Sequence, residues 1–150
     1  MKAFVFKLQT SLDVKLKKEE RQKIELGEAT RVYKLNLQIL HDLKDRMVEI
    51  QDVLRGKQTK KLNIFEIKNY QDYIPVLIEK IKKQIITTET SRQDMEDCRN
   101  KLVEIMRERK VLEKLKSKHF QEYMKELLRE EQKQIDEMAT NGYIHKDSAV

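Results

Sequence analysis

The residue types that most often perform catalysis or bind metals are few in this chain and stand far apart. There are three histidines, His41, His119 and His145, and one cysteine, Cys98. None of them shows the close spacing of a zinc-binding or redox motif, and no glycine-rich sequence of the kind that binds nucleotide phosphates is present. These residues give no indication of a catalytic, metal or cofactor site.

Adjacent acidic residues are the remaining candidates for acid–base chemistry, for example Glu130 with Glu131 and Asp136 with Glu137. Catalysis by such pairs needs a pocket that shifts the pKa values of the carboxyl groups. The sequence around them predicts an exposed helix, which offers no pocket. We therefore expect a protein that is not an enzyme and that uses neither a cofactor nor a metal ion.

The element that dominates the chain is a run from Val76 to Ala139 that contains neither glycine nor proline. Nothing in it interrupts a helix. Its apolar residues recur in alternating steps of three and four, the spacing of a coiled-coil seam. The seam residues are Ile74, Leu77, Ile81, Gln84, Thr88, Ser91, Met95, Cys98, Leu102 and Ile105, and seven of these ten are apolar. A helix over this run would be about 95 Å long and would need a partner helix.

The first third of the chain supplies that partner, a helix over about residues 10–55. Its seam continues from Ala29 through Tyr33, Asn36, Leu40, Leu43, Met47 and Ile50 to Leu54, with only Asn36 polar. The seam is weak between Lys15 and Lys23, next to Gly27, and we expect flexibility or exposure there. Phe4 and Phe6 form an apolar lead-in before the helix, and Gly56 offers the left-handed residue that ends many helices.

Residues 56–75 interrupt the pattern and predict a short structured tip. Asn63, with Glu66 three positions later, has the spacing of a capping box. Pro75 fits the first turn of a second helix over about residues 76–139, and residues 140–150 are expected to be a flexible tail. With a turn near residue 65, the two arms are antiparallel, and the numbers of paired residues add to roughly 131. The second arm then extends beyond the first by about four turns.

Composition supports an extended all-α fold. Charged residues make up 39% of the chain, glycine and proline are scarce, and tryptophan is absent. A rod needs a narrow apolar stripe and charge on its other faces, and the net charge of +6 is mostly balanced along the chain. We predict one domain over residues 1–150, a long two-helix antiparallel coiled coil or helical hairpin. We expect a monomeric cytoplasmic protein with a reduced Cys98 and no transmembrane segment.

Aromatic and basic residues meet at the predicted tip, and two interpretations of them remain open. The aromatic residues are Phe65, Tyr70 and Tyr73, and the basic ones are Lys57, Lys60, Lys61 and Lys68. Aromatic and basic side chains together can bind nucleic acid. The same residues can instead close the hairpin and contact a protein partner, because tyrosine is enriched at interfaces. We favour closure with partner contact over nucleic acid.

Three sequence segments, in the right order, resemble the flagellar export protein FliJ family. The run from Leu112 to Ala139 is similar to the end of that family's second helix, including Glu131, Gln132, Lys133, Asp136, Glu137 and Ala139. The segment from Phe4 to Lys15 is similar to its F-x-F-x-L-Q opening, and NYQDYI, from Asn69, to its tip. With the predicted hairpin, the resemblance covers essentially the whole chain.

The resemblance implies a stalk of the flagellar type III export apparatus that enters the hexameric ring of the export ATPase. It also implies contacts with the cytoplasmic domain of the membrane export gate and with export chaperones, at the inner face of the cell membrane. The implied ATPase-facing residues are Lys125, Arg129, Lys133, Asp136 and Glu137. The implied gate-facing residues are Tyr70, Tyr73 and Leu77.

Two alternatives stay open beside this interpretation. One is the equivalent stalk of a virulence secretion system, whose sequence would show the same pattern of a charged coiled coil. The other is a basic coiled-coil arm that binds nucleic acid through the tip, and such binding would weaken steeply with salt.

Overall fold

The fold is an α-helical hairpin made of two long helices. The computed structural model describes residues 2–56 and 63–148, and in these residues it contains α1, Gln9–Leu54, and α2, Ile64–Ser148. The predicted all-α two-helix fold is confirmed. Three of the tip lysines named above, Lys57, Lys60 and Lys61, lie outside the described residues.

The ends of the helices that flank the turn have the caps that the sequence predicts. Gly56 has a φ of 71°, and its N–H donates to the carbonyl of Val53 at 3.1 Å. This is the left-handed glycine that closes a helix C-terminus. At the other side, the Asn63 side-chain oxygen accepts a hydrogen bond from the N–H of Glu66 at 2.8 Å. Asn63 is therefore the N-cap of α2.

The start of α2 lies about twelve residues before the predicted one, because Pro75 does not begin the helix. Pro75 lies inside α2, which starts at Ile64. A proline there removes the hydrogen bond to the carbonyl of Gln71. Both residues are exposed, so water can bind that carbonyl and the helix continues. The predicted separate tip over residues 56–75 is thus mostly the first three turns of α2.

The end of α2 also differs from the prediction. The helix continues to Ser148, whereas a flexible tail from residue 140 was expected. Gly142 adopts no left-handed conformation, and one helical glycine costs only about 1 kcal/mol relative to alanine. His145 and Lys146 lie in the last turn, where positive charge interacts favourably with the helix dipole.

The chain divides into two compact units, and the prediction of one domain stays a prediction. The hairpin unit comprises Glu19–Glu104, and the end unit comprises Met1–Lys18 with Ile105–Val150. In the hairpin unit, the residues with the least exposure are the predicted seam residues. Ile50 is 1% exposed, Leu77 is 0% exposed and Met95 is 8% exposed. The coiled-coil seam therefore forms the core of this unit.

The register of the hairpin unit is set by polar residues in the seam. Gln84 Nε2 donates to the Asn36 carbonyl at 3.1 Å, and Thr88 Oγ1 donates to the same carbonyl at 3.3 Å. Gln22 Nε2 donates to the carbonyl of Cys98 at 3.0 Å. The numbers of the Asn36–Gln84 and Gln22–Cys98 pairs add to 120, so the predicted sum of roughly 131 is wrong. α1 ends at Leu54 and α2 begins at Ile64, so the midpoint between the helices lies well before residue 65, which accounts for the difference.

The weak part of the first seam is also more buried than expected. Glu19 is 5% exposed and Gln22 is 7% exposed, although we predicted exposure or flexibility for this stretch. Gln22 is satisfied by the Cys98 carbonyl, and Glu19 forms an ion pair with Lys23 at 3.5 Å. Polar side chains can be buried at a coiled-coil seam when such partners are present.

Candidate interaction surfaces

The first candidate surface is a part of α2 that no other described segment covers. Every residue from Leu128 to Lys146 is exposed, and we call this stretch the overhang. It carries large apolar side chains in the open, among them Leu128 at 59% exposure, Ile135 at 59% and Met138 at 74%. Exposed apolar side chains that recur along one helix face commonly mark an interaction site. The uncovered end that the sequence predicted is therefore present.

The predicted ATPase-facing residues lie at the start of the overhang and within it. All five are exposed: Lys125, Arg129, Lys133, Asp136 and Glu137. Four-residue steps bring Lys125, Arg129, Lys133 and Glu137 to one face of α2. Their contacts are local, since Arg129 lies 3.8 Å from Glu126 and Asp136 accepts a hydrogen bond from Gln132. The structure brings them together as a charged face and leaves the surface available to a partner.

Besides its charged face, the overhang has an apolar face, which the predicted site did not include. Met124, Leu128, Ile135 and Met138 recur in steps of four, seven and three, so they lie together on the helix. Their seam-like spacing was visible in the sequence, but the charged residues alone were selected as candidates. This apolar stripe gives the overhang two chemically different faces.

The base of the overhang is fixed by the residues before α1, which we call the strap, residues 2–8. The Phe4 ring lies 5.3 Å from Phe120 at 74° and 5.6 Å from Tyr123, measured between ring centroids. Phe6 is 5% exposed, and its ring contacts His119 edge to face at 5.8 Å. Tyr123 Oη donates to the Lys2 carbonyl at 2.9 Å. Edge-to-face and tilted aromatic pairs of this kind stabilise an interface beyond the area that they bury.

An apolar groove opens beside the strap in the same unit. It has a volume of about 570 Å³ and is lined by Phe4, Leu12, Leu16, Glu113, Lys116 and Phe120, among others. Leu12 is buried at its floor, whereas Leu16 and Phe120 remain 40% and 46% exposed. The groove therefore presents apolar side chains to solvent between charged neighbours.

One ion pair crosses between the two segments of the end unit. Lys15 Nζ donates to a Glu108 carboxylate oxygen, and this hydrogen bond, together with the charge of Lys15, lowers the pKa of Glu108 below its usual value. Because the pKa is lowered in the folded state, the contribution to stability is present above the usual glutamate pKa. It is lost as the pH falls through the lowered value.

We expect Lys15→Gln to raise the pKa of Glu108 towards its usual value, because the charged donor is gone. The measurement is an NMR titration of the Glu108 side-chain carboxyl carbon. Lys17→Gln is the control, since Lys17 is an exposed lysine of the same helix and forms no ion pair with any described residue. An unchanged Glu108 pKa in Lys15→Gln would show that the ion pair is not populated in solution.

The tip of the hairpin unit holds the predicted gate-facing residues, and one of them is misplaced. Leu77 is 0% exposed, so it is a core residue and no partner can reach it without opening the hairpin. Tyr70 and Tyr73 are half-buried. Tyr70 lines a small groove with Arg46, Glu49, Ile50 and Val53, and Lys80 Nζ lies 5.9 Å above the Tyr73 ring. A gate contact can therefore involve the two tyrosines but not Leu77.

The first turn of α2 also carries exposed apolar residues that the predicted gate-facing set did not include. Ile64 is 84% exposed and Phe65 is 81% exposed, directly before the two tyrosines. Two large apolar residues at this exposure are unusual on a charged helix, and they add an apolar surface to the tip. Phe65 was counted among the tip aromatics, but its exposure depends on where α2 begins.

Two kinds of feature, a metal site and a membrane-spanning helix, can be searched for in the described part of the chain. Within residues 2–56 and 63–148, no group of histidine, cysteine and acidic side chains could hold a metal ion. Over the same residues, no helix has the length and hydrophobicity to cross a membrane.

Comparison with known proteins identifies the family. The model of the flagellar FliJ protein family matches residues 4–148, nearly the whole chain. Comparisons with curated proteins and with solved structures give no match. The family match spans the strap, both helices and the overhang, and it agrees with the segments whose sequences resemble this family. The chain belongs to the flagellar FliJ protein family.

Proposed function

We propose that this protein is the stalk of the flagellar export ATPase and that its overhang enters the ATPase ring. Family membership makes the chain a component of the flagellar export apparatus, and the role within that apparatus is our proposal. The observation that carries it is the uncovered helix over Leu128–Lys146, with apolar and charged faces both in the open. A helix of this kind gains stability only when a partner covers it.

The dimensions and chemistry of the overhang suit insertion into a ring. Its residues form a helix about 28 Å long, and a single helix is about 10–12 Å wide with its side chains. The charged face with Lys125, Arg129 and Lys133 can pair with acidic residues around an opening, while the apolar stripe contacts a less polar part. In this proposal the protein performs no chemistry itself and instead favours assembly or cycling of the ring.

The tip of the hairpin unit is proposed to face the cytoplasmic domain of the membrane export gate. Tyr70 and Tyr73 supply partly exposed aromatic rings, and Ile64 and Phe65 add exposed apolar area. Such residues are frequent among the strongest contributors to protein interfaces. Export chaperones are further proposed partners, and the gate contact would hold the protein at the inner face of the cell membrane at the flagellar base.

The two alternatives receive less support than the flagellar stalk. The matching family model is that of the flagellar protein, which favours the flagellar system over a virulence secretion system. The alternative of nucleic-acid binding places the contact at the tip, and in the described part of the tip Lys68 lies between acidic neighbours in the sequence, Glu66 and Asp72. A gel-shift titration at physiological salt separates this alternative from the stalk.

The direct test compares the activity and ring assembly of the flagellar export ATPase with and without this chain. We expect stimulation by the intact protein, and we expect most of it to be lost when five charged residues become alanine: Lys125, Arg129, Lys133, Asp136 and Glu137. Because all five positions are exposed, we expect little change in helix content, which circular dichroism can check.

A matched control carries five alanines at exposed charged positions of the hairpin unit: Lys34, Lys44, Asp94, Lys101 and Glu104. We expect this control to stimulate the ATPase like the intact chain. Equal loss in both variants would remove the support for the overhang as the ring-facing end. Absence of stimulation by the intact chain would contradict the stalk role itself.

A further inference from the structure

The apolar stripe of the overhang has the spacing of a coiled-coil seam. Met124, Leu128, Ile135 and Met138 follow one another in steps of four, seven and three, and Glu131 occupies the position between Leu128 and Ile135. All five side chains are exposed. Residues that alternate in steps of three and four along a helix predict pairing with another helix. Because no other described segment covers the overhang, a second molecule must supply that helix.

Two charged residues lie on this stripe. With about 100° between successive residues, Glu131 lies about 25° and Lys146 about 35° from the mean direction of the four apolar side chains. Neither has an oppositely charged residue three or four positions away, and neither forms an ion pair with any described residue. The other acidic, lysine and arginine residues of the overhang, between Arg129 and Glu137, all have such a neighbour. The stripe therefore carries an unpaired acid near its beginning and an unpaired base at its end.

We propose that two copies of this chain associate through their overhangs, which pair antiparallel over the whole length from Leu128 to Lys146. In this pairing the numbers of facing residues add to 274. Glu131 of each copy then lies about one helical turn from Lys146 of the other, within reach of its long side chain. Because each copy gives and receives the same contact, the assembly closes as a symmetric dimer.

Charge selects the second copy as the partner and also selects the antiparallel direction. A parallel pair would place Glu131 opposite Glu131 and Lys146 opposite Lys146, and like charges opposed at a seam destabilise it. The antiparallel pair replaces both repulsive contacts by attractive ones. Gln132 and Gln134, which border the stripe on its two sides, are uncharged and add no repulsion.

The dimer goes beyond the proposed stalk function and replaces the monomer that the sequence predicts. Pairing covers the stripe, so an overhang in the dimer is unavailable to an ATPase ring, and dilution or a competing ring would release it. The tests below use the chain without the ATPase, so their outcome does not depend on the stalk role. A monomeric chain that still stimulates the ATPase would overturn the dimer alone.

The first test is sedimentation equilibrium of the full chain between about 10 µM and about 500 µM. We expect a monomer–dimer equilibrium. Its dissociation constant should rise between about 50 mM and about 500 mM salt, because two ion pairs contribute to the interface. A chain that stays monomeric over the whole concentration range would overturn the proposal.

Charge reversal tests the contact between Glu131 and Lys146. Glu131→Lys alone and Lys146→Glu alone should each weaken the dimer by about tenfold, since each makes two attractive pairs repulsive. The chain with both substitutions should regain the affinity of the intact protein. Glu130→Lys is the matched control, because it makes the same charge change at an exposed neighbour about 120° from the stripe. Failure of the double variant to recover would contradict this pairing.

Two isoleucines of the overhang give a matched test of the apolar stripe. Ile135 lies on the stripe and is 59% exposed, whereas Ile144 is 56% exposed and lies on the opposite face of the helix. Ile135→Gln should weaken the dimer by about tenfold, because two buried side chains are lost at the interface. Ile144→Gln should leave the dissociation constant unchanged. Equal effects of the two substitutions would show that the stripe is not the interface.

The direction of pairing is tested by distances between nitroxide labels in the dimer, measured by pulsed electron paramagnetic resonance. Labels are attached to Glu126→Cys or Thr140→Cys, each in a chain with Cys98→Ala, and both positions lie on the face away from the stripe. In the antiparallel pair the distance between the two copies should be more than about 10 Å longer at position 126 than at position 140. Equal distances would mean a parallel pair and would overturn the proposal.

Discussion

Replacing Leu77 by alanine is expected to lower the free energy of unfolding by about 2–5 kcal/mol. Leu77 is 0% exposed in the hairpin unit, so the substitution removes buried methyl groups and leaves a cavity. A narrow two-helix core has few residues in each layer, and each buried side chain therefore carries a large share of the packing. Urea denaturation followed by far-ultraviolet circular dichroism measures the change.

The neighbouring Ile78 provides the control for this prediction. It is an apolar residue of similar size on the same turn of α2, but it is 42% exposed. Ile78→Ala should cost well under half as much, because little buried area is lost. Equal destabilisation by both substitutions would mean that the seam of α2 does not face α1 as described.

Truncation after Leu127 is expected to abolish stimulation of the export ATPase while leaving the rest of the protein folded. The residues removed from the described part of the chain are exposed up to Lys146, and the strap contacts with His119, Phe120 and Tyr123 remain. Two measurements would verify that the truncated protein is folded. Its helix content should fall only in proportion to the residues removed, and the midpoint of its urea unfolding should be unchanged. Undiminished stimulation by the truncated chain would refute the overhang as the ring-facing end.

A point substitution tests whether stimulation of the ATPase requires an unbroken helix in the overhang or only the presence of these residues. Gln134→Pro should break the helix in the middle of the overhang, at a cost of about 3 kcal/mol to local helix stability, and stimulation should fall nearly as far as in the truncation. Gln134→Ala keeps the helix and should stimulate normally. Gln134 is exposed and its side chain makes no hydrogen bond or ion pair among the described residues, so neither substitution removes a side-chain interaction of that kind.

Much of the fold was predictable because coiled-coil seams follow from sequence periodicity alone. The seam residues of both helices are the buried or half-buried positions in the structure, including the polar ones such as Asn36 and Thr88. The helix ends at Gly56 and Asn63 were equally predictable from the sequence, since each is determined by the local preference of one residue type.

The register was predicted wrongly because periodicity does not say which turn of one helix faces which turn of the other. The missing signal was present in the polar seam residues. Asn36 is the only polar residue in the second half of the α1 seam, and Gln84 and Thr88 begin the polar stretch of the α2 seam. Pairing polar with polar residues would have given the observed register, since a buried amide needs a hydrogen-bonding partner.

The candidate sites were less predictable, because a site depends on what covers it. Leu77 was chosen for its position in a motif, yet the same position is a seam residue and is fully buried. The apolar groove beside the strap could not be predicted, because its lining residues come from segments that lie about a hundred residues apart in the sequence. Only the correct pairing of the strap and α1 with α2 brings them together.

The strap also bears on the order in which the protein folds. Leu54 at the end of α1 and Ile64 at the start of α2 are ten positions apart, whereas the hydrogen bond from Tyr123 to Lys2 joins residues 121 positions apart. Bringing distant segments together costs more chain entropy, and the cost falls once the intervening helices have paired. We therefore expect the aromatic contacts of the strap to form last and to open first. The base of the overhang would then be the part of the molecule most easily loosened without unfolding the rest.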